Sequence, residues 1–300
     1  MKKLILVTAA ILLALASTGG AGSAAPTATV THRATFEGVQ PPARYFTLVE
    51  GISEFAPGQA ARSNFVPAAR YFSVIQGEVT VTIGDKTAVY AKGETWSVGG
   101  GIYFGIRNDA DATARVFFTV LALPGATPKP VPGSTVPANP SRILWTAVTS
   151  VYVPASKIDL MQLIQDSEPG FRTPAHVMNH PHVYIVMEGE NTLRYSDGAV
   201  EAFAAGQQGV MEVGRPGTME NSSDVNSQLA FSWLITPGTP PTSPVTGTAA
   251  TPPGTISPPN TGDGGLVSGS GGVMVNIALA ASAVVLLVSA AVAKAAGTRS

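Results

Sequence analysis

Tyr71-Phe72-Ser73-Val74-Ile75-Gln76-Gly77-Glu78-Val79-Thr80-Val81-Thr82-Ile83 decides the fold. It holds two runs of β-branched and aromatic residues, each of strand length, separated by Gln-Gly. A second copy of the pattern stands at Val183-Tyr184-Ile185-Val186-Met187-Glu188-Gly189-Glu190. Both Ile75-Gln76-Gly77-Glu78 and Met187-Glu188-Gly189-Glu190 read as tight turns between strands. Glycine is the residue that takes the backbone angles such turns need without strain.

The pairing extends outward from these turns. Gly58 lies 19 residues before Gly77, and Gly170 lies 19 before Gly189. Gly93 and Asn108 are 15 apart, as are Gly206 and Asn221. Gly101 and Gly214, and the Pro124-Gly125 and Pro237-Gly238 pairs, repeat at an offset of 113. Chance does not place so many pairs in register, so the spacing predicts a duplicated β domain. No long amphipathic helix interrupts the region from about 34 to 236. Short strands at even spacing imply an all-β sandwich or barrel in each half. The expected units are a first domain over 34–126 and a second over 140–236, each of ordinary domain size.

The ends read as addresses. Met1-Lys2-Lys3, an apolar run from Leu4 to Ala16 and small residues to Ala25 make a secretory signal over 1–25. Ala21-Gly22-Ser23 or Gly22-Ser23-Ala24 precedes the cut. Residues 237–272, rich in Pro, Thr, Gly and Ser, are expected to form an extended stalk. Val273 to Ala293 is uncharged and long enough to cross a bilayer. Lys294 and Arg299 in the tail 294–300 place that tail on the cytoplasmic side. The sequence thus predicts an exported protein held at the cell surface.

Composition bounds the chemistry. Eighteen Lys and Arg against 19 Asp and Glu give a net charge of −1, which offers no basic face for nucleic acid. No cysteine is present, so disulfides, thiolate metal sites and a cysteine nucleophile are excluded. Hydrophobic residues at 45% allow a sizeable core. A Walker-type phosphate loop is absent, because Val98-Gly99-Gly100-Gly101 lacks the Lys-Ser/Thr that follows in one. A Gly-x-Ser-x-Gly elbow is absent too.

The glycine and asparagine spacing resembles that of the cupin family, whose two motifs are G-x5-H-x-H-x3-E-x6-G and G-x5-P-x-G-x2-H-x3-N. The resemblance covers about residues 40 to 236, and the motif proline is replaced by Gly99 and Glu212. It implies a bicupin: two double-stranded β-helix barrels, each with an interior pocket. In that family two His, a Glu and a third His converge on one metal. Carried onto the first half, those positions are Asn64, Val66, Arg70 and Phe104. None is a metal ligand of the expected type. They are expected to line a pocket in which Arg70, through its two-pronged guanidinium, holds a carboxylate or pairs with a nearby acid. In the second half the positions are His176, Met178, His182 and Gly217, with Met219 two residues on. His176, Met178 and His182 form a candidate site for one transition metal: copper first, otherwise zinc, iron or manganese. Gly217 is expected to leave room there for substrate or water. Core packing by methionine and histidine is the competing reading.

Pro258-Pro259-Asn260-Thr261-Gly262, followed by the apolar span and basic tail, resembles a Gram-positive sortase signal. Pro258 replaces the usual Leu. Anchoring is therefore expected either to the cell wall or to the membrane. The functional expectation is a non-catalytic module without cofactor that binds a small acid, a glycan or a partner protein. The alternatives are a metal-dependent oxygenase or isomerase using His176 and His182, and an extracytoplasmic copper binder.

Overall fold

The computed structural model describes residues 25–61, 64–65, 67–126, 129–130 and 137–245. The signal segment up to residue 24, Val66, the motif Pro258–Gly262, the span 273–293 and the tail 294–300 lie outside the described residues. The described residues form 21 strands and no helix. The first half contains β1 (Ala28–Val39), β2 (Tyr45–Phe55), β3 (Ala60–Ala61), β4 (Asn64–Phe65), β5 (Ala69–Gln76), β6 (Glu78–Ile83), β7 (Lys86–Ala91), β8 (Thr95–Val98), β9 (Phe104–Arg107), β10 (Ala114–Ala122) and β11 (Lys129–Pro130). The second contains β12 (Arg142–Tyr152), β13 (Ile158–Ser167), β14 (His176–Met178), β15 (His182–Glu188), β16 (Glu190–Tyr195), β17 (Val200–Ala204), β18 (Gln208–Met211), β19 (Pro216–Glu220), β20 (Ser227–Ile235) and β21 (Thr242–Pro244).

The repeated glycines and asparagines do the same work in both halves. Gly77 and Gly189 both have positive φ (67° and 71°), which a side chain strains. A Cβ on either would come within 2.7 Å of a carbonyl oxygen, that of Thr113 or of Asn226. The Asn108 side chain donates to the Phe55 and Ala112 carbonyls and accepts from the Ala110 amide. Asn221 bonds in the same way to Ser167, Val225 and Ser223. The amides of Gly58 and Gly170 donate to the carbonyls of Asn108 and Asn221, each at 2.9 Å. The motif residues are thus the pins of each barrel's corner.

Each barrel pairs a five-stranded sheet with a smaller or equal one. One large sheet runs β12-β2-β10-β5-β8, facing β3-β9-β6-β7 across a core of Phe55, Phe72, Val74, Val79, Val81, Trp96, Val98 and Ile106. The other runs β1-β13-β20-β15-β18, facing β17-β16-β19-β14-β21 across Met178, Tyr184, Leu193, Tyr195, Met211, Met219 and Phe231.

The halves of the chain do not divide at residues 126 and 140 in space. β1 pairs with β13, in the second half's sheet, and β12 pairs with β2, in the first half's. Each half lends its leading strand to the other. The expected boundaries 34–126 and 140–236 therefore cut through both physical units. The lent strands are the outer strands of their sheets, and each carries an irregularity in the same repeat position: between Val30 and His32, and between Ile143 and Trp145. A bulge twists an edge and hinders pairing with another chain.

The two large sheets pack on each other. Leu48, Tyr71, Leu121, Leu160, Val183 and Leu234 form one apolar cluster between them, and Ile52, Phe117, Ile164, Met187 and Ala230 another. β5 and β15 are therefore buried on both faces, which explains their nearly continuous apolar sequence. The expected stalk also begins later than 237. Thr242–Pro244 adds as a strand to β14, and the Asn179 side chain donates to the Pro240 carbonyl and the Ser243 hydroxyl.

Candidate functional site

Three places hold buried polar groups, and each is set by strand alternation. On β5, residues 70, 72 and 74 face the first barrel's interior. Arg70 is only 5% exposed. Its guanidinium carbon lies 4.6 Å from the centre of the half-buried Phe104 ring on β9. Phe72 stacks on Trp96 at 4.8 Å and fills the space beyond. Burial brings the Arg70 pKa down to about 10, so the side chain is still a cation at neutral pH. Asn64 lies on β4 nearby in sequence, and Val66 is among the residues not described. Of the four expected lining residues, Arg70 and Phe104 are the two whose side chains are described, and they meet. Arg70 has no acid partner among the described residues, contrary to the reading that it pairs with a nearby acid.

In the second barrel His182 occupies the position equivalent to Arg70, facing inward from β15 and 3% exposed. Its ring stacks on Phe231 at 4.9 Å and meets Trp233 edge-on at 4.8 Å. Burial, with a smaller contribution from His176, lowers its pKa to about 3, so the ring is neutral. Neither ring nitrogen has a hydrogen-bond partner among the described residues. His176 and Met178 flank Val177 on β14. Met178 is buried, whereas His176 is half-exposed, with Nδ1 2.8 Å from the Pro174 carbonyl oxygen. His180, between β14 and β15, is buried as well.

The room expected at Gly217 is taken. A Cβ there would stand 3.1 Å from the Tyr195 ring and 3.4 Å from the Met211 methyl. Met219 is core, packed with Met178 and Met211. Tyr184 fills the place held by Trp96 in the first barrel: Gly209, the repeat equivalent of Trp96, lies directly under its ring. Two acids at the edge of this barrel are held by arginines. Glu220 is buried between Arg172 and Arg194, which hold its carboxyl below the usual range despite burial, and Glu212 pairs with Arg215.

The third place was not visible as a site in the sequence. A chain of six buried side chains runs between the two large sheets, taken alternately from each. His32 Nε2 meets Ser73 Oγ at 2.9 Å, and Ser73 donates to Gln162 Oε1 at 2.7 Å. Gln162 Nε2 donates to Thr119 Oγ1 at 2.9 Å, and Thr119 meets Ser232 at 3.0 Å. Ser232 adjoins Glu50, which is fully buried. Since Ser73 spends its proton on Gln162, His32 must donate through Nε2. Burial pushes the Glu50 carboxyl well above its ordinary range, and the Ser232 hydroxyl offsets this only in part. Neither Glu50 oxygen reaches full hydrogen-bond geometry with a described partner. Thr119 and Ser232 are repeat equivalents, as are Glu50 and Gln162, so the chain crosses the axis relating the halves. Its signal in the sequence is a polar residue flanked at i−2 and i+2 by apolar ones on each strand (Leu48-Glu50-Ile52, Phe117-Thr119-Leu121, Leu160-Gln162-Ile164, Ala230-Ser232-Leu234).

As to metal chemistry, no three His, Asp or Glu side chains converge among the described residues. The donors on offer in the second barrel are two imidazoles and a thioether, a set that suits copper(I) better than zinc, iron or manganese. Grooves of about 360 and 560 Å³ lie at the surface, lined by residues such as Thr80, Thr82 and Arg107, and Glu37, Gln40 and Ser97.

Residues 47–120, a quarter of the chain, match the protein family described as Mif2/CENP-C like. No curated protein matches the chain. Among solved structures it is similar to AerE from Microcystis aeruginosa, at 13% identity and a TM-score of 0.43, over 71% of this chain and 98% of that one. It is also similar to oxalate decarboxylase from Bacillus subtilis, at 13% identity and a TM-score of 0.43, over 67% of this chain and 77% of that one. A third is the vicilin of Corylus avellana, at 11% identity and a TM-score of 0.47, over 69% and 86%. The two-barrel β architecture itself rests on the chain's own strand pairings.

Proposed function

We propose that the chain is an exported, surface-anchored bicupin-like module that binds a small ligand without catalysing a reaction. The observation that carries this reading is how the inward positions are used. Where the family resemblance places metal ligands, the first barrel sets Arg70 against Phe104, a cation–π pair that repels a metal ion. Export and anchoring rest on the signal segment 1–25, the span 273–293 and the motif Pro258–Gly262. Elemental analysis of the full chain, purified in mild detergent without chelator or a histidine tag, tests the reading. Transition metal far below one equivalent, even after soaking with copper, zinc, iron and manganese, is expected. Near one equivalent of a single metal, lost in His176→Ala/His182→Ala, would replace the module by a metal enzyme or carrier.

The second reading, extracytoplasmic copper binding, is favoured by one observation. Neutral His182 has no hydrogen-bond partner for either ring nitrogen among the described residues, in a core that also holds Met178, Met211 and Met219. It predicts copper(I) uptake lost with His182→Phe.

A further inference from the structure

Arg70 is a charge without a counter-charge. Elsewhere in the molecule acids near arginines are paired, the half-buried Glu54 with Arg115 and Arg142, and the buried Glu220 with Arg172 and Arg194. Arg70 pairs with no acid among the described residues. Nor is one concealed in the internal residues outside the description, because 62–63, 66, 127–128 and 131–136 contain neither Asp nor Glu. A guanidinium removed from water with no anion beside it is costly to the folded state. The Phe104 ring offsets part of that cost and leaves the planar fork of N–H donors without a carboxylate to match it.

We propose that the first barrel contains an anion site in which Arg70 binds the carboxylate of a small organic acid through both arms of its guanidinium. This rests on the reading of the protein as a binding module. Phe104 is the residue to be displaced. It is half-buried at the start of β9, two residues after the exposed Ile102, and lies against Phe72 at 5.3 Å on the margin of the core, so its ring must turn away from Arg70 to admit the carboxylate. The interior beyond is occupied by the Phe72–Trp96 stack, which limits the ligand to a carboxylate on a few carbons rather than a glycan. The second barrel is not a second copy of the site. His182 stands at the equivalent position as a neutral ring, so one ligand binds per chain.

The test uses the full chain in detergent, its metal content measured first, with acetate, propionate and succinate as probes and chloride and phosphate for comparison. Calorimetric titration is expected to give one equivalent of carboxylate. Thermal melts at about 100 times the dissociation constant are expected to shift upward by about 5 to 10 °C. Arg70→Met is expected to abolish binding, yet to melt at or above the unliganded wild type, because it removes an unpaired buried charge. Arg70→Lys, which keeps the charge and loses the fork, is expected to weaken binding about tenfold or more. The site is refuted if no carboxylate binds, if Arg70→Met binds like wild type, or if chloride and phosphate match the carboxylates. A stoichiometric metal dependent on His176 and His182 would sink the module reading while leaving carboxylate binding through Arg70 standing. A metal-free protein that ignores carboxylates would sink the anion site alone.

Discussion

At the residue scale, two glycines carry consequences out of proportion to their size. Gly77 and Gly189 sit in left-handed conformation against a carbonyl oxygen, so a methyl group meets both strain and overlap. Gly77→Ala and Gly189→Ala are each expected to lower stability by at least about 2 kcal/mol in urea titration. Gly58 and Gly93, whose added Cβ would meet nothing within 4 Å, are expected to lose less. These positions were legible in the sequence because backbone geometry restricts them to one residue type. Gly217 was misread for the opposite reason. An absent side chain suggests a hole, but Tyr195 and Met211, reaching over from β16 and β18, occupy it.

At the element scale, the closing asparagines decide how each barrel ends. Asn108 and Asn221 are buried, and each satisfies three backbone groups that strands leave unpaired. Replacing either by Ala strands those groups away from water. Asn108→Ala and Asn221→Ala are each expected to cost about 2 to 4 kcal/mol by chemical denaturation. The strands themselves followed from β-branched runs and turn residues. Their partners did not, because an N–H to O=C bond carries no side-chain signature. β1 and β12 therefore read as parts of their own halves and are in fact exchanged. β21 was read as stalk because Pro-rich composition conceals a three-residue edge strand, where proline's missing N–H can face outward.

At the scale of the whole molecule, strand exchange and the shared core between the large sheets bind the two barrels into one body. The polar chain at its centre makes that body sensitive to pH. No charged group acts on Glu50 from β2, β10, β12 or β20. Its polar neighbours are Ser232 and, through it, Thr119, while His32 lies at the far end of the chain. Its folded-state pKa is raised above the unfolded value of about 4.5. The stability this gives is complete below the unfolded pKa and is lost as pH climbs toward the folded one. Glu50→Gln keeps the shape and removes the proton. Its advantage over wild type is expected to grow by about 1.4 kcal/mol per pH unit above about pH 4.5, until Glu50 ionises in the folded state. Denaturant titrations at a series of pH values check this, and parallel curves would refute it. His32, lowered by burial and by Lys92 to about 4, acts in the other direction, and its contribution falls away as pH drops below about 6.5.

By itself the sequence determined the all-β class, the duplication and the corner residues, because these depend on local rules: strand period, left-handed turns and a fixed offset between copies. The motif resemblance also singled out Arg70, Phe104, His176, Met178 and His182. Only the tertiary structure decided what meets what. That Arg70 lacks an acid, that Gly217 is filled, that the barrels trade their leading strands and that Glu50 and Ser232 meet across an interface are all contacts between residues far apart in the chain. Such contacts are set by how two sheets pack, and neither sheet's sequence contains the other's surface.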